Sequence, residues 1–426
     1  MKAAVIGLGV EGKKAINSFL KRGWDVYATD LNVNIDLSSL NLPIVAMDTI
    51  NDNQTVSMVG NNITVDLGFS NSHAIDECDA IAFAPSMFGG SFAEELLKNN
   101  NLLSDVLTKH KDMFTIGITG TNGKTTTVHM LKSILENAGY NVLVGGNGGG
   151  GFSGYYDLIL EANSNDYDIL LVEVCDMTLD FANYCFDFDY IGLTNIGNDH
   201  MDVHKTIANY KNSLVRFFSD KTIFTAFNQD FNSDFKHSAK CNLYYFEYQD
   251  DLNLVGKFNF YNAGLAFSIA RELKVSKDII KSTLSDFKAV EGRMDVYKIN
   301  DVSVYVGKTD NSDALASILS EKDFHALFIG TPRYNEEHRL DILDVAVKYN
   351  PEVIVLFPGL EDTLDMAIYR LNLLGYMGNI ITVHSLDEII ELVAEYSHQE
   401  AIFIGGNGQD TIIKIQERIK LISEKL

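Results

Sequence analysis

The sequence predicts an α/β protein built from three units, and three observations carry that expectation. A glycine-rich turn, "GLGVEG" at residues 7–12, stands between a short apolar run and an amphipathic helical stretch. The same strand, loop and helix order returns in mid-chain around "GITGTNGKTTTVHML", residues 117–131. Towards the end, apolar runs such as "HALFIG", "VIVLFPG" and "AIFIGGNG" alternate with helical ones such as "DMAIYRLNLLG", as parallel strands joined by right-handed crossovers do. A chain of 426 residues is also too long for one ordinary domain. The expected boundaries give units at 1–91, 92–290 and 291–426.

Composition bounds the function. With 46% hydrophobic and 22% charged residues the chain can bury large cores. Its formal charge of -24 disfavours nucleic acid or an anionic membrane as partner, since both need a broad basic surface. Any phosphate site must then be local, made of backbone N–H groups and a few cations. Cys78, Cys175, Cys185 and Cys241 lie far apart with no C-x-x-C pair, so reduced, buried thiols are expected. No run approaches the ~18 apolar residues of a membrane span, and Met1 leads directly into a strand. The expectation is a soluble, cytoplasmic monomer.

In the first unit an apolar run from Ala3 to Ile6 meets Gly7, Gly9 and Gly12, followed by a helix to about Arg22 and a second strand, "DVYATD", ending at Asp30. Glycine lets the backbone turn tightly against a diphosphate, and the helix N-terminus adds partial positive charge. A dinucleotide and a UDP-sugar satisfy this pattern equally, with Val10 and Glu11 in the turn and Asp30 at the strand end. "AIDECDAIAFAPSMFGG" supplies a further strand, residues 80–84, opening into a loop at Pro85.

In mid-chain, residues 114–118 read as a strand, 119–123 as a loop and 124–138 as a helix. In such a loop Gly120, Thr121, Asn122 and Gly123 wrap phosphates, Lys124 bridges the β and γ groups, and Thr125 reaches Mg²⁺, with Thr126 next to it. Ile118 occupies the first glycine position of the general pattern. "LLVEVCDMTL", residues 170–179, is a buried strand delivering Glu173 to its end, where a lone carboxylate calls for a cation. In "LTNIGNDHMDVH", residues 193–204, Asp199, His200, Asp202 and His204 invite a zinc reading, set aside because no cysteine or distant third histidine closes the site.

"TGTNGKTT" resembles the Mur ligase family, ATP-dependent ligases that add amino acids to cell-wall precursors, together with their folylpolyglutamate and cyanophycin relatives. "LTNIGNDHMDVH" is similar to the family's T-N-I-x-x-D-H-x-D stretch, and "GKFNFYNAGLAFSIA" to its G-x-H-N-x-x-N-x-x-A-A helix, with Phe258 in place of the usual histidine. "VLVGGNGG", residues 142–149, resembles a G-G-N-I-G turn of the D-glutamate-adding branch, and "TNIGNDHMDVHKTIANYKNSLVRFF" looks nearer the alanine-adding one.

The resemblance implies a Rossmann-like N-terminal domain, a central P-loop ATPase domain with a mainly parallel sheet and a C-terminal Rossmann-like domain closing over ATP. It implies Glu173 and His200, together with Thr125, as magnesium ligands, Asn195 and Asp199 as loop supports, and Asp202 and His204 as polar loop residues. Asn262 would meet adenine, Asn147 and the first glycine turn a UDP-linked precursor, and Arg293 and Lys308 the reacting phosphate. Gly292 replaces a frequent histidine, and Val306 stands where a ribose-contacting aspartate is expected, so that Asp310 or Asp313 would have to substitute. Leu214 occupies the place of a lysine that many members carbamylate, and Lys211, one helical turn earlier, is not expected to replace it. The implied activity is amide ligation of a free amino acid to a UDP-linked precursor, with ATP and Mg²⁺. A pseudomurein-type acceptor is an alternative, as is a nicotinamide-binding dehydrogenase or sensor with a degenerate phosphate loop.

Overall fold

The computed structural model describes residues 1–40, 42, 44–50, 55–219, 224–235, 241–398 and 400–425. Its strands form three six-stranded sheets. The first holds β1 (Lys2–Ile6), β2 (Asp25–Asp30), β3 (Ile44–Ile50), β4 (Thr55–Gly60), β5 (Ile63–Leu67) and β6 (Ala80–Phe83), in the order β3-β4-β5-β2-β1-β6. β1, β2, β5 and β6 pair in parallel, whereas β3, β4 and β5 form an antiparallel meander. That meander departs from a plain Rossmann-like sheet. Asp66 anchors it, accepting from Ser57 Oγ at 2.7 Å and Tyr27 OH at 2.9 Å.

The second sheet holds β7 (Phe114–Thr119), β8 (Val142–Gly146), β9 (Ile169–Glu173), β10 (Tyr190–Leu193), β11 (Phe224–Asn228) and β12 (Cys241–Tyr245). All its described pairings are parallel, in the order β12-β11-β10-β7-β9-β8. Central parallel strands are covered on both faces and read as continuous apolar runs, which is why β7 and β9 are legible in the sequence. Ile118 is fully buried in that core, and a Cβ at Gly192 would meet its Cδ1 at 2.8 Å. The residue that breaks the general phosphate-loop pattern is therefore a packing residue, accommodated by a neighbouring glycine.

The third sheet holds β13 (Asp295–Ile299), β14 (Val302–Val306), β15 (Ala326–Gly330), β16 (Val353–Phe357), β17 (Asn379–Thr382) and β18 (Ile402–Gly406), in the order β13-β14-β18-β15-β16-β17. β13 and β14 are antiparallel and the other pairings parallel. Asn300 (φ 47°) and Asp301 (φ 69°) both adopt left-handed backbone, the two-residue turn that matches strand twist.

One hydrophobic cluster runs without a break from the first sheet into one face of the second, including Phe19, Phe83, Tyr156, Phe181 and Phe217. Tyr156 OH donates to the Phe83 carbonyl at 2.6 Å and accepts from its N–H at 2.9 Å. Arg22 adds an ion pair across the same junction, to Asp157 at 2.8 Å and Glu161 at 2.9 Å. Cys78, Cys175 and Cys185 are buried free thiols as expected, but Cys241 is exposed. It begins the edge strand β12, which among the described residues pairs only with β11. Among the described residues no helix is long and apolar enough to cross a membrane.

Candidate nucleotide-binding site

β7 runs out at Thr119 into a loop that turns through Gly120 (φ +125°) and Gly123 (φ +84°) before the helix Lys124–Asn137. Both glycines are required twice over, by their backbone conformation and by space. A Cβ at Gly120 would stand 2.2 Å from Thr194 Oγ1, and one at Gly123 2.2 Å from Asn262 Oδ1. Asn195 braces the loop, accepting from the Asn122 N–H at 2.9 Å and donating to its carbonyl at 3.1 Å. Lys124 Nζ folds back onto the carbonyls of Gly120 and Thr121, each at 2.7 Å. Burial pulls its pKa down, but the negative groups around it, Asp176 foremost, leave it raised above the ordinary lysine value. The loop thus keeps a fixed positive charge beside free helix N–H groups, an arrangement that binds polyphosphate.

Thr125 Oγ1 donates to Glu173 Oε2 at 2.7 Å, and Asn147 Nδ2 donates to Glu173 Oε1 at 2.9 Å. Glu173 is 1% exposed, so β9 delivers a carboxylate into the interior with two neutral donors on it. Oxygen donors of this kind suit a hard divalent ion such as Mg²⁺. Arg293 reaches in from the start of the third unit, donating to Thr125 Oγ1 at 2.8 Å and the Gly150 carbonyl at 2.9 Å.

His200 lies on the other side of Lys124, in left-handed backbone (φ +51°). Its Nε2 is 3.9 Å from Asp176 Oδ1 and 3.7 Å from Asp199 Oδ2. The second oxygen of Asp176 bonds to His204 Nε2 at 2.9 Å, and the His204 ring stacks on Tyr210. Burial would raise the Asp176 pKa, but His204, His200 and Lys124 hold it below the usual carboxylate value. Asp199 is raised, chiefly by burial. His204 was expected to be a loop residue and is instead a buried partner of Asp176; the side chain of Asp202 lies outside the described residues.

The third unit adds a charged chain. Lys308 Nζ is 3.0 Å from Asp310 Oδ2, which Arg339 NH1 meets at 2.8 Å, while Arg339 NH2 stands 3.9 Å from Asp199. Lys308 and Arg339 outweigh the burial of Asp310 and depress its pKa strongly. Asn311 and Asn122 exchange amide hydrogen bonds at 2.9 and 3.1 Å between the two units. Asp313 accepts from the Asn198 N–H at 2.5 Å. Val306 is fully buried in the core of the third sheet, away from the cavity wall where Asp310 and Asp313 stand. Asn259 does not cap its helix. Gly256 holds that position, and Asn259 donates to Val255 and accepts from Asn262.

One cavity of about 760 Å³ joins these groups. Its wall includes Val10, residues 121–126, Asn147, Glu173, His200, Asn262, Arg293 and Lys308. Gly7, Gly9, Glu11, Gly12, Asp30 and Gly120 are not among its lining residues. The first glycine turn is built as expected, with Gly7 at φ +84° and Gly12 so close that a Cβ would meet the Gly7 carbonyl oxygen at 2.0 Å. Asp30, however, accepts from the Leu8 N–H at 2.7 Å, and Glu11 accepts from Gly148 at 2.5 Å and Tyr155 at 3.2 Å. Their carboxylates hold the turn and the junction with the middle unit, a placement that local sequence patterns do not encode.

Arg293 Nε, Arg339 Nε and Gln409 Oε1 line the same cavity, buried and without hydrogen-bond partners. Orphaned polar atoms on a cavity wall are the mark of a polar ligand's place. Arg339 escaped sequence reasoning because it stands in no short motif; only the folded third sheet brings it here, where Gln409 joins it from the glycine-rich turn after β18.

Three α/β sheets, a glycine-rich loop of phosphate-binding form on the middle one and cations converging from the third define an α/β protein with a candidate nucleotide site. Residues 118–244 match the Mur ligase middle domain. The UDP-N-acetylmuramoylalanine–D-glutamate ligase of Thermoanaerobacter sp. (strain X514) is 31% identical over 234 residues, 46% of this chain and 50% of that one. The ligase of the same name from Bacteroides fragilis (strain ATCC 25285) is 26% identical over 331 residues, 69% of each chain. A solved pseudomurein peptide ligase type C from Methanothermus fervidus superposes with a TM-score of 0.57 at 19% identity, over 99% of both chains. The chain is thus similar to Mur ligases, with the family's middle domain matched over residues 118–244. It spans about half the length of the first curated relatives it matches.

Proposed function

We propose that this chain is an ATP-dependent acid–amino-acid ligase that joins a free amino acid to a UDP-linked cell-wall precursor through an acyl phosphate. The observation that carries the reading is the single cavity in which the phosphate loop, Glu173, Asn262, Arg293 and Lys308 face one another. In this reading residues 1–91 hold the UDP-linked precursor through the turn at Gly7–Gly12 with Val10, and Asn147 contacts it from the middle unit. Residues 92–290 hold ATP, and residues 291–426 close over ATP and the amino acid. The protein works as a cytoplasmic monomer.

A carboxylate is a poor acylating group. Its oxygen attacks the γ-phosphorus of ATP and ADP leaves. The amino acid's amine then attacks the acyl carbon, loses a proton, and phosphate departs as the amide forms. Lys124 and the loop N–H groups hold the polyphosphate, while Arg293 and Lys308 offset charge on the transferred group. Asn262 lies against Gly123, where an amide can donate to and accept from an adenine edge. Thr125 and Glu173 would hold Mg²⁺, which supplies positive charge at the phosphate oxygens when bound. In this reading the Arg293–Thr125 and Asn122–Asn311 contacts hold the third unit when it closes.

The test is a matrix of UDP-sugar and UDP-sugar–peptide acceptors, of both murein and pseudomurein type, against free amino acids, read as phosphate release. Release that requires ATP, one acceptor and one amino acid together is the expected result. Hydrolysis indifferent to every acceptor and amino acid would refute the reading.

A further inference from the structure

Immediately after Glu173, the chain places Cys175 and Asp176 in the interior, 7% and 3% exposed, and the ligase reading gives neither a task. The sequence pattern around His200 lacked a cysteine to complete a zinc-type set; the fold brings one from the end of β9. Cys175 Sγ lies 3.6 Å from Asp176 Oδ1, and His200 Nε2 lies 3.9 Å from that same oxygen. The three donor atoms all fall within 4.8 Å of one another. Donors on a tetrahedral ion with bonds of about 2.0–2.3 Å are separated by roughly 3.3–3.7 Å. Adjacent oxygens on octahedral Mg²⁺ are only about 3.0 Å apart. The 3.6 Å separation falls in the tetrahedral range and the 3.9 Å one just above it, both longer than an octahedral edge.

The surroundings are those of a held ligand set. His204 bonds the other oxygen of Asp176 at 2.9 Å, so Oδ1 is left turned towards His200 and the thiol, the kind of outer support that fixes a metal-binding carboxylate. Thiolate and imidazole favour zinc, cobalt or similar ions over magnesium. A thiolate and a carboxylate together also neutralise a divalent charge.

We propose that Cys175, Asp176 and His200 form a site for a borderline divalent cation of the zinc class, apart from the Thr125–Glu173 pair, with its remaining position open to water or substrate. On binding, the Cys175 thiol gives its proton to the buffer and its sulfur forms the bond to the ion. The donor set is read from the cluster alone, so its fate and that of the ligase reading are measured separately.

The experiment titrates Co²⁺ into the metal-free whole chain carrying Cys241→Ser, which removes the exposed thiol at β12. The expected result is one equivalent bound, with a near-ultraviolet sulfur-to-cobalt band that disappears in Cys175→Ser and an affinity at least tenfold weaker in Asp176→Asn or His200→Ala. X-ray absorption of the zinc-loaded protein, which needs no active-site variant, should show one sulfur among nitrogen and oxygen neighbours. Absence of the band, its persistence in folded Cys175→Ser, or a zinc shell without sulfur would overturn the proposal. Any of these leaves phosphate release with Mg²⁺ to decide the ligase reading on its own.

Discussion

Lys124 concentrates the argument at the residue scale. Its Nζ is bound only to carbonyls of its own loop, so its removal takes charge from the cavity without opening the core. Lys124→Ala should therefore leave the circular dichroism spectrum and melting profile intact while ATP-dependent turnover falls by about 10²–10³-fold or more. Retained turnover would remove the loop from the mechanism. His110 supplies an independent prediction about stability. Its ring is fully buried, with Nε2 on the Cys185 carbonyl at 2.8 Å and Nδ1 facing the Asn163 amide at 3.1 Å, a pairing satisfied by the neutral ring. Burial, first among the causes, lowers its pKa from 6.5 to about 4. The unfolded chain thus binds more protons between those values, so this contribution is complete above pH 6.5 and is lost as pH falls towards 4. The loss amounts to roughly 3 kcal/mol. Denaturant unfolding of His110→Gln across that range should show a shallower pH slope than the parent; an unchanged slope would contradict the assignment.

At the scale of single elements, the helix Ile207–Ser219 shows how far a motif carries. Leu214 is fully buried, and Lys211 one turn earlier pairs with Asp234 at 2.8 Å. Neither offers a carbamate to the cavity. Ligation should then be unaffected by stripping bicarbonate, and Lys211→Ala should keep turnover within about twofold, since an exposed pair of this kind is worth little to the fold. A large loss restored by a short carboxylic acid would show that Lys211 carries the carbamate after all. The phosphate loop and β9 were legible because strand, loop and helix are contiguous and their apolar runs unbroken. The meander β3–β5 was not, since IVAMDTI, TVSMVG and ITVDL mix polar residues into their apolar runs and Asp66 meets Tyr27 only in the fold. The same limit hides the cluster at Asp176: His200 and His204 are distant from it in sequence, and only the fold, which sets the segment after β9 beside the one after β10, makes them neighbours.

The whole molecule is three sheets held by two unlike junctions. The first and middle units share a continuous core and the Arg22 ion pairs, whereas the middle and third meet through polar contacts at Thr125, Asn122 and Asp199 and through Val255 and Phe258, partly buried against the separate third core. Two units that share a core should present a preformed precursor site, and a third unit docked through polar groups suits a closing part. Whole protein titrated in a calorimeter should accordingly bind UDP in preference to NAD, with Asp30→Lys altering UDP affinity through the turn that Asp30 holds. Preference for NAD would favour the dehydrogenase alternative. The residue types of the site were readable from motifs at Gly120–Thr126, Glu173 and His200, and Asp310 and Asp313 were candidates there, but Arg339 enters it only through the fold of the third unit. The most direct measurement follows one atom. With the acceptor's carboxylate labelled with oxygen-18, ligation through an acyl phosphate must place one labelled oxygen in the released phosphate; phosphate free of label during amide formation would contradict the account.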